Sequence, residues 1–269
     1  MSPGLRHRLE HTDTHALEQH LASRNTRFLG SYFEALWEFF FVHAPRFTVV
    51  AKNLQIRDAN QTLGEFDFII LDKHTNKHLQ LELAIKFYLG FPQLNSHSYT
   101  DGKNLWIGPQ ARDRLDIKVA RALEHQLTLY QHPAAQKQLQ DLGVDGLEPQ
   151  LLIKGYLFQP QQALPLPNYV LETNDHAQWI SLEQLPAVLT ADHPWYLLDK
   201  RHWPAPPYSE NLNSPLSVSE LTTQLHTIIN RENRPYLIIQ TDGAACASQV
   251  LKRYFVTPSG WPHSLGYQS

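Results

Sequence analysis

The sequence predicts an α/β fold: a mixed sheet with helices on both sides, followed by a smaller C-terminal α+β region. Three observations carry this expectation. Apolar residues recur at helical spacing over 28–41 and 112–130. Alternating or β-branched apolar segments lie between and after those stretches. At Pro160 the composition shifts to the proline-rich QPQQALPLPN, which reads as a linker or edge segment. The resulting order is helix, three strands, helix, strand, which fits a layered sheet.

Residues 1–24 are polar, and His7, His11 and His15 recur every four residues, as on one face of a solvated terminal helix. In RFLGSYFEALWEFFFVHAP, Phe28, Tyr32, Phe33, Leu36, Trp37, Phe40 and Phe41 follow helical spacing, and Pro45 ends the helix. Glu34 and Glu38 share one side of it, off the centre of the apolar stripe. Strands are predicted at 47–56, 65–72 and 78–89, with the short turn HTNK joining the last two. The third strand sets Leu79, Leu81, Leu83, Ile85 and Phe87 on one face and Gln80, Glu82, Ala84 and Lys86 on the other.

After a Gly- and Asn-rich loop, LWIGP reads as a short strand or turn. The helix 112–130 carries an apolar stripe of Leu115, Val119, Ala122, Leu123 and Tyr130, with Gln126 in its middle. Arg114, Lys118, Arg121 and His125 form a second, basic stripe. A strand follows at 149–160. Two later helices carry capping boxes, Ser181 with Gln184 and Ser217 with Glu220. Strands at 235–240 and 253–257 follow, and the tryptophans 179, 195, 203 and 261 read as core or interface anchors. The expected organisation is a polar segment 1–24, a core 25–160 and a C-terminal region 161–269. That last region is a candidate for capping the sheet, binding a partner or forming a homodimer surface.

Composition excludes several classes. A 42% hydrophobic content with 18% charged residues argues against intrinsic disorder. A net charge of -3 excludes a broad basic coat for nucleic acid, so any phosphate contact must be local. One cysteine, Cys246, permits no internal disulfide and no Cys-based zinc site. With no signal-like apolar start and no apolar run of membrane-spanning length, a cytoplasmic chain with no membrane partner is expected.

The informative residues are Glu65 and Asp67 on the second strand and Glu82 and Lys86 on the third. Carboxylates inside apolar strands are costly to bury unless paired or bound to a metal. Asp67 and Glu82 on neighbouring strands could jointly hold Mg²⁺ or Mn²⁺, which prefer oxygen ligands. Lys86 could offset substrate charge or orient a water. That kit suits metal-assisted phosphodiester hydrolysis. The competing structural reading is an ion-pair cluster.

The element order, with GEFD on the second strand and ELAIK on the third, resembles the PD-(D/E)XK phosphodiesterase superfamily over about residues 25–160. GEFDFIILD, LELAIKFYLG, LWIGPQARDRLD, RPYLII and RYFVTPSGWP resemble an uncharacterised bacterial domain family over nearly the whole chain. The superfamily resemblance implies a restriction-endonuclease-like core and a Mg²⁺-dependent hydrolase cutting DNA or RNA. It makes Asp67 and Glu82 metal ligands, with Glu65 beside them. It makes Glu34 an auxiliary acid, Gln126 a polar residue aimed at the site and Lys86 the catalytic ammonium. Lys103, Arg112, Arg114, Lys118 and Arg121 would contact phosphates. One departure stands out: the usual acid-x-Lys pattern puts lysine at position 84, where this chain has Ala84. Lys86 keeps the face but lies roughly 7 Å further along the strand at about 3.3 Å per residue. Two readings follow: an active enzyme with a migrated lysine, or an inactive nuclease-like fold that binds nucleic acid or a protein partner.

Overall fold

The computed structural model describes residues 13–59, 61–92, 105–171, 177–204, 212, 214–243 and 249–266. In order, the main elements are α1 (Thr14–Ala22), α2 (Leu29–His43), β1 (Phe47–Asp58), β2 (Gln61–Asp72), β3 (Lys77–Phe91), β4 (Leu105–Ile107) and α3 (Leu115–Arg121). A π turn at Ala122–Gln126 and a 3-10 turn at Leu129–Gln131 lead to α4 (Pro133–Asp141) and β5 (Glu148–Phe158). Then come β6 (Ala177–Ser181), α5 (Leu185–Val188), β7 (Trp195–Leu198), α6 (Val218–Glu232), β8 (Tyr236–Thr241) and β9 (Val250–Thr257). The class is mixed α/β, as expected. Among the described residues no helix is long and apolar enough to cross a membrane. His7, His11, Lys103 and Cys246 lie outside the described residues.

The chain divides into two compact units, 1–85 with 121–154, and 86–120 with 155–269. The divisions fall inside β3, α3 and β5, so the segment 25–160 contributes to both units.

In the first unit, β1, β2 and β3 form antiparallel ladders, with Asp58 opposite Gln61 at one hairpin and Asp72 opposite Lys77 at the other. Phe41 of α2 packs with Phe68, Ile70, Leu81 and Leu83, and Phe33, Trp37 and Phe40 extend this aromatic seam. Ala135 and Leu139 of α4 pack with Ile56, Phe66 and Ile69 in a second cluster. These clusters bury Phe66, Phe68, Ile69 and Ile70 of β2.

In the second unit, β4 pairs with the end of β3, Leu89 opposite Ile107. A four-stranded sheet has the order β6-β9-β8-β7, with β6 and β9 parallel and the other pairs antiparallel. Leu221, Leu225 and Ile229, four residues apart on α6, pack on Ile238, Tyr254, Val256 and Trp195. Both expected capping boxes form: Ser217 N–H donates to Glu220 Oε2 at 2.8 Å, and Ser181 N–H to Gln184 Oε1 at 2.9 Å. The tryptophans act as anchors with their N–H groups satisfied: Trp179 by Gly90 O at 2.8 Å, Trp195 by Thr190 O at 2.7 Å and Trp261 by Pro109 O at 2.9 Å.

The helix expected over 112–130 is broken into α3, the π turn and the 3-10 turn. The π turn shifts the angular phase, so Leu123, placed on the apolar stripe by a 3.6-residue period, is 53% exposed.

Gly155 on β5 has φ +133°, and a Cβ there would sit 1.7 Å from Lys86 O. Gly155→Ala is therefore expected to cost at least about 3 kcal/mol, through forced backbone strain. Gly143, at φ +71° but in open space, is the control, and its alanine variant should cost about 1 kcal/mol. Urea unfolding midpoints of the two variants check this. Equal losses would contradict the close approach.

Candidate functional site

The β2–β3 ladder ends at Phe68 opposite Leu81. The next pair in that register would be Asp67 and Glu82. Instead of continuing the ladder, Asp67 turns its carboxylate to the neighbouring strand, and Oδ2 accepts the N–H of Leu83 at 2.8 Å. A side-chain acceptor thus stands where backbone pairing stops, which satisfies a donor that would otherwise lose its partner. Two expected metal ligands therefore lie at one opening between adjacent strands.

Gln80 and Glu82 share a face of β3 and are buried, 0% and 3% exposed. Both are held by the π turn. Gln80 Nε2 donates to Gln126 O at 2.8 Å, and Gln126 Nε2 donates to Glu82 Oε1. A helical turn with a side chain re-aimed by a π bulge recurs at functional sites. The expectation that Gln126 points over the sheet to Glu82 corresponds to this contact. A carboxylate accepts but cannot donate when ionised, so the amide fixes Glu82 as an acceptor.

Glu34 of α2 belongs to the same electrostatic neighbourhood. Burial pushes its carboxyl above the ordinary range, Asp67 and Glu65 push the same way, and Lys52 opposes them. Like charges gathered in a partly desolvated place have this effect, and a bound cation would relieve it. Glu38, one helical turn on, is already committed. It accepts from Lys52 Nζ at 2.8 Å and from Arg24 Nε at 3.0 Å, and His20 Nε2 lies 3.4 Å away. Burial favours raising the Glu38 pKa, but Lys52 and Arg24 outweigh it and hold the carboxyl below the ordinary range.

The sequence reading missed Lys52. It lies on β1 opposite Phe68, with Nζ 5.5 Å from the centre of that ring. A lysine inside the apolar run FTVVAKNLQI was the available signal. Gln80 was also passed over, although it shares the polar face of β3 with Glu82.

The remaining expected residues are distributed differently. Lys86, Arg112, Arg114 and Lys118 belong to the second unit, and Arg121 begins the returning part of the first. Lys86 Nζ donates to Asp113 Oδ2 at 2.7 Å, and Arg114 Nε donates to Asp116 Oδ1 at 3.0 Å.

Among the described residues, no group of three or more His, Cys, Asp or Glu side chains is arranged to hold a metal ion. The donor chemistry at Asp67 and Glu82 suits a different kind of site. Mg²⁺ is commonly held by one or two carboxylates, with water and substrate oxygens completing the octahedron.

No curated protein matches the chain, and no solved structure matches it. Residues 5–257 match the family described as Domain of unknown function (DUF1853), and since the match spans nearly the whole sequence, the chain belongs to that family.

Proposed function

We propose that the chain is a metal-dependent phosphodiesterase of PD-(D/E)XK type that hydrolyses DNA or RNA, built on a restriction-endonuclease-like core. Two contacts where the β2–β3 ladder ends support this most: Asp67 accepts the N–H of Leu83, and Glu82 accepts from Gln126 Nε2. Asp67 and Glu82 would hold Mg²⁺ or Mn²⁺. When bound, the cation supplies positive charge to the phosphate and lowers the pKa of a coordinated water. Gln126 holds one Glu82 oxygen, and the Leu83 N–H holds one Asp67 oxygen, so both carboxylates are oriented before any ligand arrives. Glu34 and Glu65 add negative potential that favours the cation. Two lysines are candidates for the ammonium group: Lys86 from the sequence pattern, and Lys52, whose charge already acts on Glu34. Arg112, Arg114, Lys118 and Arg121 are the candidate phosphate contacts.

A second reading is a catalytically inactive nuclease-like fold that binds nucleic acid or a protein. It is favoured by Ala84 at the usual lysine position and by the engagement of Lys86 with Asp113. Calorimetry with Mn²⁺ separates the two. The enzyme reading expects uptake by the wild type that falls at least about tenfold in affinity in Asp67→Ala. Absence of uptake, with retained binding of DNA, would select the second reading.

A further inference from the structure

Arg253 carries an inference independent of the carboxylate site. It lies in the middle of the second unit's sheet, opposite Ile239 on β8 and Ala177 on β6. It is 5% exposed, yet its Nε and Nη1 are enclosed and have no hydrogen-bond partner among the described residues. No carboxylate forms a salt bridge with it among the described residues. Its guanidinium carbon lies 3.9 Å from the centre of the Tyr156 ring.

The stacking does not satisfy the group. A ring beneath a guanidinium stabilises the charge through its face. The N–H donors point outward in the guanidinium plane, where the ring offers no acceptor. An enclosed cation with unmade donors is costly, and natural proteins pair or ligate such groups. An aromatic cluster lies on the same strand: Phe255, two residues on, packs on Phe158 at 4.7 Å and on Trp203 at 4.8 Å between ring centres. Phe87 closes the cluster at 6.2 Å from Tyr156.

Along β9, residues up to Lys252 are partly or well exposed, and Arg253 is the first buried one. Arg253 thus stands where β9 passes from exposed and partly exposed residues to buried ones.

We infer that Arg253 is the anchor of a site for a small organic carboxylate with an apolar or aromatic body. A planar two-oxygen anion matches the in-plane donors of a guanidinium. A single cation balances a single negative charge, which favours a carboxylate over a phosphate monoester. The enclosure of the group excludes the backbone of a polymer. The aromatic cluster supplies the wall for the ligand's body.

Full-length protein titrated with sodium benzoate tests this, with sodium chloride and inorganic phosphate at matched ionic strength as controls. Benzoate is expected to raise the thermal midpoint in a saturable way and to shift the Arg253 Nε–H resonance. Arg253→Met should bind benzoate at least about tenfold more weakly. This variant replaces an unpaired buried charge with a side chain of similar length, so it should fold at least as well as the wild type. Arg253→Lys assigns the resonance and keeps the charge. Failure of benzoate to bind the wild type, or equal binding by Arg253→Met, would overturn the proposal. Equal shifts with chloride or phosphate would also overturn it, by revealing an adventitious ion only.

Discussion

Glu82→Gln is expected to lower metal-dependent cleavage by roughly 10²–10³-fold while leaving the fold intact. The substitution is nearly isosteric. Its amide oxygen still accepts from Gln126 Nε2, so the link between β3 and the π turn survives. What disappears is the negative charge that a hard cation requires. The expected stability change is about 1–2 kcal/mol, because Gln126 keeps its acceptor but the new amide N–H₂ takes the place of the enclosed Oε2. Glu82→Ala confuses the two effects, since it removes the acceptor and leaves the Gln126 amide facing a void. Activity and urea midpoint measured on the same preparation separate them. A purely structural Glu82 would show unchanged cleavage in Glu82→Gln.

Asp72→Ala is expected to lose about 2–3 kcal/mol of stability at neutral pH. Asp72 is 3% exposed at the end of β2 and faces Phe47 at the start of β1. It accepts from Arg46 Nε at 2.7 Å and from the N–H of His74 at 3.0 Å, so it ties the strand ends to the following turn. The half-exposed Arg46 side chain is screened by solvent, which is why the figure stays below that of a fully buried pair. The Arg46 hydrogen bond is the first cause that holds the Asp72 carboxyl well below the ordinary range, assisted by His74 and Thr75 and opposed by burial. The sign follows from linkage. A depressed folded-state pKa stabilises the fold above the unfolded value of about 3.9, and the stabilisation fades as pH falls through the lower folded value. Urea midpoints of wild type and Asp72→Ala should therefore differ clearly at neutral pH and converge in strong acid. A gap that does not narrow would assign the effect to packing rather than to charge.

The carboxylates of the site were legible because their setting is improbable. Asp67 and Glu82 interrupt apolar strands, and the short HTNK turn limits the register that can pair them. Gln126 stood out as an amide on an apolar stripe, but the π turn that aims it did not, because a regular helical period was the only frame available. The same turn explains why Leu123 is exposed. The strands β6 and β7 were missed because they are short, and their neighbours are set by tertiary pairing with β9 and β8. Lys52 was hidden for a related reason: its partner Glu38 lies on α2, fourteen residues earlier, and only the fold brings them together. Arg253 was invisible because nothing in RYFVT signals an absence of partners.

The central claim is that Asp67 and Glu82 form a cation-dependent phosphodiesterase site. Cleavage of supercoiled plasmid and of single-stranded DNA and RNA, with Mn²⁺ or Mg²⁺ and with chelator, tests it most directly. The wild type should cut at least one of these substrates, chelator should stop it, and Asp67→Ala should be inactive although folded. Equal cutting by wild type and Asp67→Ala, or cutting unaffected by chelator, would contradict it.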